Sequence, residues 1–169
     1  INHEVITAYK LENELKKEVE IKEVSLHSNP IFRYGDKVSI ENAENNLLQD
    51  TLKELISYSV GCMFGRYSPS KPGLIIANRG ETLKEFLERI PNPSFIPDDD
   101  NIIPILELDW FEDDINAKFR KFLKVTFGEN NFDENIKFIE SILGKDVRKY
   151  FLNEFYKDHI QKYKKNPIY

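Results

Sequence analysis

The chain has 169 residues, 24 Lys+Arg against 29 Asp+Glu for a formal net charge of −5, and 40% hydrophobic with 12% aromatic content. That length suits one domain or two small helical subdomains with a sizeable core, and the apolar content excludes disorder. No apolar run approaches the roughly 20 residues that span a bilayer, a lone cysteine, Cys62, excludes an internal disulfide, and net acidity argues against a whole-surface nucleic-acid binder while leaving room for a local basic patch.

The first residues, Ile1-Asn2-His3-Glu4, carry neither a basic stretch nor an apolar run, so no secretory signal is expected and the reading is cytoplasmic, with no membrane partner. Without an initiating Met, and with an abrupt end at Asn166-Pro167-Ile168-Tyr169, the chain reads as a piece of something longer.

Helical periodicity dominates. The expected class is all-α (mainly α), an irregular helical fold with long loops, divided into an N-terminal helix and loop (1–45) and a helical connector (46–169). Val5, Ile6, Tyr9, Leu15 and Val19 fall near helical spacing and predict a helix from His3 to about Val24. Val19 and Ile21 also alternate, which leaves a short strand open over 19–26. Asn29-Pro30 and Tyr34-Gly35-Asp36 mark a loop. Leu47, Leu48, Leu52, Leu55, Ile56, Val60, Met63, Phe64 and Tyr67 form the broadest apolar stripe, and the helix it predicts runs to the breaker Ser68-Pro69.

A short helix is expected around Glu81–Ile90, followed by an acidic, proline-punctuated loop from Pro91 to Pro104 with a second candidate strand over 102–108. Three helices close the chain. The first, Asp113 to Phe127, stops at Gly128 in the left-handed conformation. The second opens on an Asn131/Glu134 variant of the capping box and stops at Gly144. The third runs from Asp146 to about Lys165, before Asn166-Pro167.

Residues that could carry chemistry are sparse. His3, His27 and His159 sit on separate elements with no Cys or His at ligand spacing, so no metal site is expected. Asp98-Asp99-Asp100 after Pro97 looks like the start of a nuclease motif, but no Asp/Glu-x-Lys unit follows to hold metal and activate water; a solvated turn is the better reading. Neither a Gly-x-Ser-x-Gly elbow nor a phosphate-cradling glycine loop is present. Asn29-Pro30-Ile31-Phe32, Asn92-Pro93-Ser94-Phe95 and Asn166-Pro167-Ile168-Tyr169 are each similar to the Asn-Pro-Pro-aromatic motif of amino-group DNA methyltransferases. All three lack the second proline and any glycine-rich strand-turn before them, and they read as turn chemistry.

Two features carry more. Ser57, Gly61 and Gly65 recur every four residues on the long helix, a small-residue stripe for close packing or for docking another domain, with Arg66 beside it as a candidate phosphate contact. Cys62, with no basic neighbour in sequence, is expected to be a buried thiol. Charge is segregated as well. Eight acids and no Lys or Arg lie between Asp98 and Asp114, whereas the last helix holds Lys145, Arg148, Lys149, Lys157, Lys162, Lys164 and Lys165 against three acids. Interleaved with Tyr150, Phe151, Phe155, Tyr156 and Tyr163, these cations fit either a DNA-backbone contact or an amphipathic helix with a solvated lysine face. Asp113 and Asp114 also suit a helix's first turn with no other role.

Three stretches, Glu54-Leu55-Ile56-Ser57-Tyr58-Ser59-Val60-Gly61-Cys62-Met63-Phe64-Gly65-Arg66-Tyr67-Ser68, Pro97-Asp98-Asp99-Asp100-Asn101-Ile102-Ile103-Pro104-Ile105 and Asp109-Trp110-Phe111-Glu112-Asp113-Asp114, together resemble the PglX family. Phe119–Gly128 and Ile142–Phe151 strengthen the likeness, which covers roughly Glu54 to Tyr169. These are the large adenine-specific DNA methyltransferases of BREX (phage growth limitation) defence systems, related to single-chain type II restriction-modification enzymes.

In that family the cofactor and Asn-Pro-Pro-Tyr motifs lie N-terminal to such a stretch, and neither is present here, so no catalytic residue carries over. The resemblance implies a non-catalytic helical spacer between the methyltransferase core and the target-recognition part. It implies no cofactor within this stretch, and S-adenosylmethionine for the parent enzyme, which would methylate the exocyclic amine of adenine. The implied partners are the remainder of the parent chain, double-stranded DNA and other subunits of the defence complex.

Overall fold

The computed structural model describes residues 2–16, 18–108 and 111–162. It is mainly α: among the described residues no strand forms, only an isolated bridge between Ser68 and Lys71. Both candidate strands are therefore corrected; Ile21–Glu23 is a 3-10 turn and 102–108 is irregular. No described helix is long and apolar enough to cross a membrane. The chain divides into two compact units, Ile1–Asp50 and Thr51–Tyr169.

In the first unit, the helix expected over His3–Val24 shrinks to α1, Asn2–Ala8. Lys10 takes a left-handed φ of 58° two residues after its end. Leu15 and Val19 stay half exposed, so no buried face rewards continuing the helix. Asn29-Pro30 is not a plain loop but a helix start. Pro30 occupies the first turn of α2, Pro30–Tyr34, where its missing N–H costs nothing, and Asn29 Oδ1 accepts from Ile31 N–H at 3.1 Å. Arg33 and the Tyr34 hydroxyl then both bond the Asp50 carboxylate, at 2.8 and 2.6 Å.

Helix α3, Ile40–Met63, is the longest. It stops short of the expected Ser68-Pro69 because Gly65 is left-handed (φ 68°), and Arg66 N–H folds back onto Gly61 C=O at 2.8 Å. In the second unit, Leu52, Ile56, Val60 and Met63 of α3 join Phe95, Phe119, Phe122, Leu123, Val147, Tyr150 and Phe151 in one core. A smaller cluster joins Phe86 of α4, Leu83–Arg89, to Ile75 and Ile90 on either side of it; α4 opens on a Thr82/Glu85 capping box the sequence reading did not pick out.

Asp114 caps α5, Ile115–Phe127, accepting from Ala117 N–H at 2.7 Å. Gly128 ends α5 with positive φ but an extended ψ of 147°, not the left-handed cap expected. The Asn131/Glu134 capping box also does not form. Residues Glu129–Asn131 make a 3-10 turn, and no side chain caps α6, Phe132–Leu143, which ends at a left-handed Gly144. The last helix starts where expected, on an Asp146 cap, but is not uniform. Helix α7, Val147–Tyr150, passes through a π-helical turn, Phe151–Phe155, into α8, Tyr156–Lys162.

Candidate functional site

The segregated charges meet at one point inside the second unit, where an acid of the loop pairs with a cation of the last helix. Asp114 is fully buried, and its Oδ2 lies 2.5 Å from Arg148 Nη1. The same nitrogen donates to Leu106 C=O at 2.6 Å and reaches Leu108 C=O at 3.3 Å. Arg148, expected as a DNA-backbone contact, is therefore 11% exposed and clamps the acidic loop to α7.

Asp98 forms a second clamp. Its backbone N–H donates to Met63 C=O at 2.8 Å, and its carboxylate pairs with Lys118 of α5 at 2.7 Å. Burial pushes the Asp98 pKa up. Lys118, Asp100 and the Ile102 N–H outweigh that and hold the carboxyl below the usual carboxylate range. The three carboxylates of Asp98, Asp99 and Asp100 come within 4.8 Å of one another. The solvated turn expected here is solvated at Asp99 and Asp100, which are exposed, while Asp98 is buried and committed to Lys118.

The remaining cations of the last helix divide. Lys145 pairs with Glu154, Lys162 with Glu54 at 3.4 Å, and Lys53 takes Asp158 at 2.8 Å. Lys149 and Lys157 are exposed and make no ion pair among the described residues. Lys164 and Lys165, with Tyr163 and the Asn166–Tyr169 tetrapeptide, lie outside the described residues. Adjacent Tyr150 and Phe151 are both buried at the π-helical turn, and Phe155 stacks on buried His159 with ring centroids 5.7 Å apart. The aromatics of this helix are thus mainly core; Tyr156 is the exposed exception at 66%. Burial, reinforced by the Lys162 charge, lowers the His159 pKa, so the ring is a neutral core-edge group.

The small-residue stripe does not survive as drawn. Ser57 and Gly61 lie on α3, whereas Gly65 lies beyond its end, and all three are buried. Gly65 is instead required locally: a Cβ there would sit 2.9 Å from Ile76 Cδ1 and 3.3 Å from Phe86 Cδ2. Cys62 is buried as expected. Burial pushes its thiol up to about 12, against an opposing pull from the Tyr58 hydrogen bond, and burial likewise raises Tyr58 to about 12. Arg66 is partly buried beside the small cluster and makes no ion pair among the described residues.

What the second unit offers is two ion-pair clamps, Asp114–Arg148 and Asp98–Lys118, with Lys149 and Lys157 exposed on the last helix. Comparison with known proteins agrees with the sequence motifs. The chain is 37% identical, over 98% of its length, to the adenine-specific methyltransferase BrxX of Escherichia coli O9:H4 (strain HS). It is 36% identical, over 100% of its length, to the adenine-specific methyltransferase PglX of Lacticaseibacillus casei (strain Zhang). The resemblance to the PglX family holds. The chain spans only 15% and 13% of the length of these relatives, so it corresponds to one segment of such a protein. No family model matches the chain. The likeness reaches back through the first unit as well, beyond the Glu54–Tyr169 stretch whose motifs first suggested it.

Proposed function

We propose that the chain is a non-catalytic helical spacer of an S-adenosylmethionine-dependent, adenine-specific DNA methyltransferase of a BREX-type or restriction-modification defence system. It would link the catalytic core to the target-recognition part and lend one basic edge to the DNA backbone. The observation that carries this reading is full-length similarity to a small segment of two adenine-specific methyltransferases, in a chain whose own chemistry is structural. S-adenosylmethionine does not fit the residues present: among those described, no strand feeds a glycine turn at a helix N-terminus, the arrangement that cradles nucleotide-like cofactors. The cofactor therefore belongs to the remainder of the parent chain. On this reading, calorimetry of the chain with S-adenosylmethionine gives no heat beyond dilution, and a saturable isotherm overturns it.

For the DNA half, exposed Lys149 and Lys157 carry the contact, joined by Lys164 and Lys165. Fluorescence anisotropy with a labelled duplex should show weak, sequence-independent binding that weakens as salt rises. Each phosphate neutralised contributes about −0.9 to the slope of log K against log salt, so Lys149→Glu with Lys157→Glu should flatten it by about 2. No binding at low salt, or an unchanged slope in the double variant, removes the DNA contact.

A second reading has a specific observation behind it. The acidic loop exposes Ile102 (70%), Ile105, Leu108 and Phe111 between exposed Asp99, Asp100, Glu107 and Glu112, a mixed apolar and acidic surface suited to another subunit of the defence complex. A pull-down of such a subunit lost on Asp99→Lys/Glu107→Lys and indifferent to the lysines of the last helix would favour this role.

A further inference from the structure

We propose that Arg66 is a seat for a carboxylate supplied from outside the described residues. Its backbone is fixed on both sides: the N–H donates to Gly61 C=O at 2.8 Å, and the C=O accepts from Ile75 N–H at 2.9 Å. Its Nε is shut off from solvent, yet it has no hydrogen-bond partner among the described residues. A buried donor on a charged group is costly to leave unmade, and the arginine fork matches a planar two-oxygen acceptor bidentately.

Arg66 lines a pocket of about 200 Å3 together with Phe64, Ile76, Asn78, Glu81 and Asn101. A water needs only about 10–15 Å3, so the pocket has room for a carboxylate, which reaches the shielded Nε once a wall side chain gives way. Apolar Phe64 and Ile76 on the wall weaken competition from solvent for the guanidinium.

The surroundings select the anion. Glu81 does not serve Arg66. One of its oxygens accepts from Ala77 and Asn78 N–H at 2.8 Å each, and the other takes the Asn78 side chain and Arg89. Arg89 foremost, then those amides, hold Glu81 ionised, with its pKa down to about 2. An ionised Glu81 on the pocket wall and exposed Asp99 and Asp100 beside Asn101 repel a polyanion far more than a single charge. The seat therefore favours one carboxylate, from a small acid or from an Asp or Glu side chain, over a run of DNA phosphates.

Arginine Nε–H resonances in 15N–1H spectra of this chain provide the test, at ionic strength held constant with chloride. Sodium acetate should move the Arg66 Nε–H saturably while Arg33, Arg120 and Arg148 stay put. Arg66→Lys assigns the peak and should abolish the matching shifts at the Asn78 and Asn101 amides, because an ammonium cannot make the two-pronged contact. A tighter response to a capped Gly-Glu-Gly peptide than to acetate assigns the seat to a side chain; the reverse assigns it to a small free acid. No saturable shift with either probe overturns the proposal, and so does a stronger response to inorganic phosphate or duplex DNA. Should Arg66→Lys fail to fold, through-bond assignment of the wild-type arginine Nε–H peaks identifies Arg66 and the same titrations decide.

Discussion

Replacing Arg148 with Met keeps most of the side chain's length and removes its charge. Among the described residues, Asp114 would then be a fully buried carboxylate holding only the Ala117 N–H, and the Leu106 and Leu108 carbonyls would lose the guanidinium. Breaking a buried pair by removing one partner costs about 3–5 kcal/mol, chiefly because the other charge stays behind unpaired. At an m-value of roughly 2 kcal/mol/M, that moves the urea midpoint down by about 2 M. In a chain of this size it also lowers the thermal midpoint by about 10 °C or more. The measurement is urea unfolding by tryptophan fluorescence and by circular dichroism, with coincident transitions required. The double variant Arg148→Met/Asp114→Asn discriminates further. It removes the stranded charge while keeping a capping oxygen, so it should be more stable than Arg148→Met alone. A loss below about 1 kcal/mol in the single variant, or strictly additive losses in the cycle, would refute the clamp.

Other consequences are equally direct. Gly65 and Gly144 share a φ of 68°, but only Gly65 is crowded; alanine at Gly144 should cost about 1–2 kcal/mol for the left-handed backbone, and alanine at Gly65 clearly more. Equal losses would mean Ile76 and Phe86 yield freely. His159 is pressed toward neutrality in the fold, so its contribution is present above its unfolded pKa near 6.5 and lost as pH falls below that value. The slope cannot exceed about 1.4 kcal/mol per pH unit. His159→Gln should flatten stability between pH 5 and 6.5, and an unchanged profile would count against burial as the cause. Cys62 should resist a thiol reagent at pH 8 in the native state and react on unfolding in urea; fast native labelling would contradict a buried thiol whose pKa is pushed up to about 12.

Much of the helical architecture is legible in the sequence because its signals are local. The α3 stripe, the stop at Gly144 and the Asp146 start each follow from side-chain spacing or backbone sterics. The misses have different physical causes, each decided by contacts that spacing does not show. Asn29 looks like a turn residue until its amide is seen to donate to Ile21 and Val24 carbonyls, at 2.5 and 2.6 Å, while its oxygen caps α2. Asn131 has capping chemistry, but the 3-10 turn at Glu129–Asn131 spends its backbone otherwise. Leu15 and Val19 have helical spacing but nothing to pack on.

The candidate site was harder to read because charge in a sequence carries no depth. Arg148 and Lys149 are neighbours with the same sign, yet one is buried against Asp114 and the other faces water. One clue was available: an acid just before a helical stripe is a capping residue, and a capping carboxylate that is also buried needs a cation from elsewhere in the fold. That requirement changes the meaning of the acidic loop and the basic helix. They meet through Asp114–Arg148, while Asp98 draws on Lys118 of α5, so two of the loop's acids are spent in holding the loop on the helices. Within the last helix, the described cations that make no ion pair are Lys149 and Lys157, and a contact of that helix with nucleic acid would draw on them first. For that reason the salt slope, rather than the affinity, is the quantity that separates a scaffold with a basic edge from a DNA-binding domain.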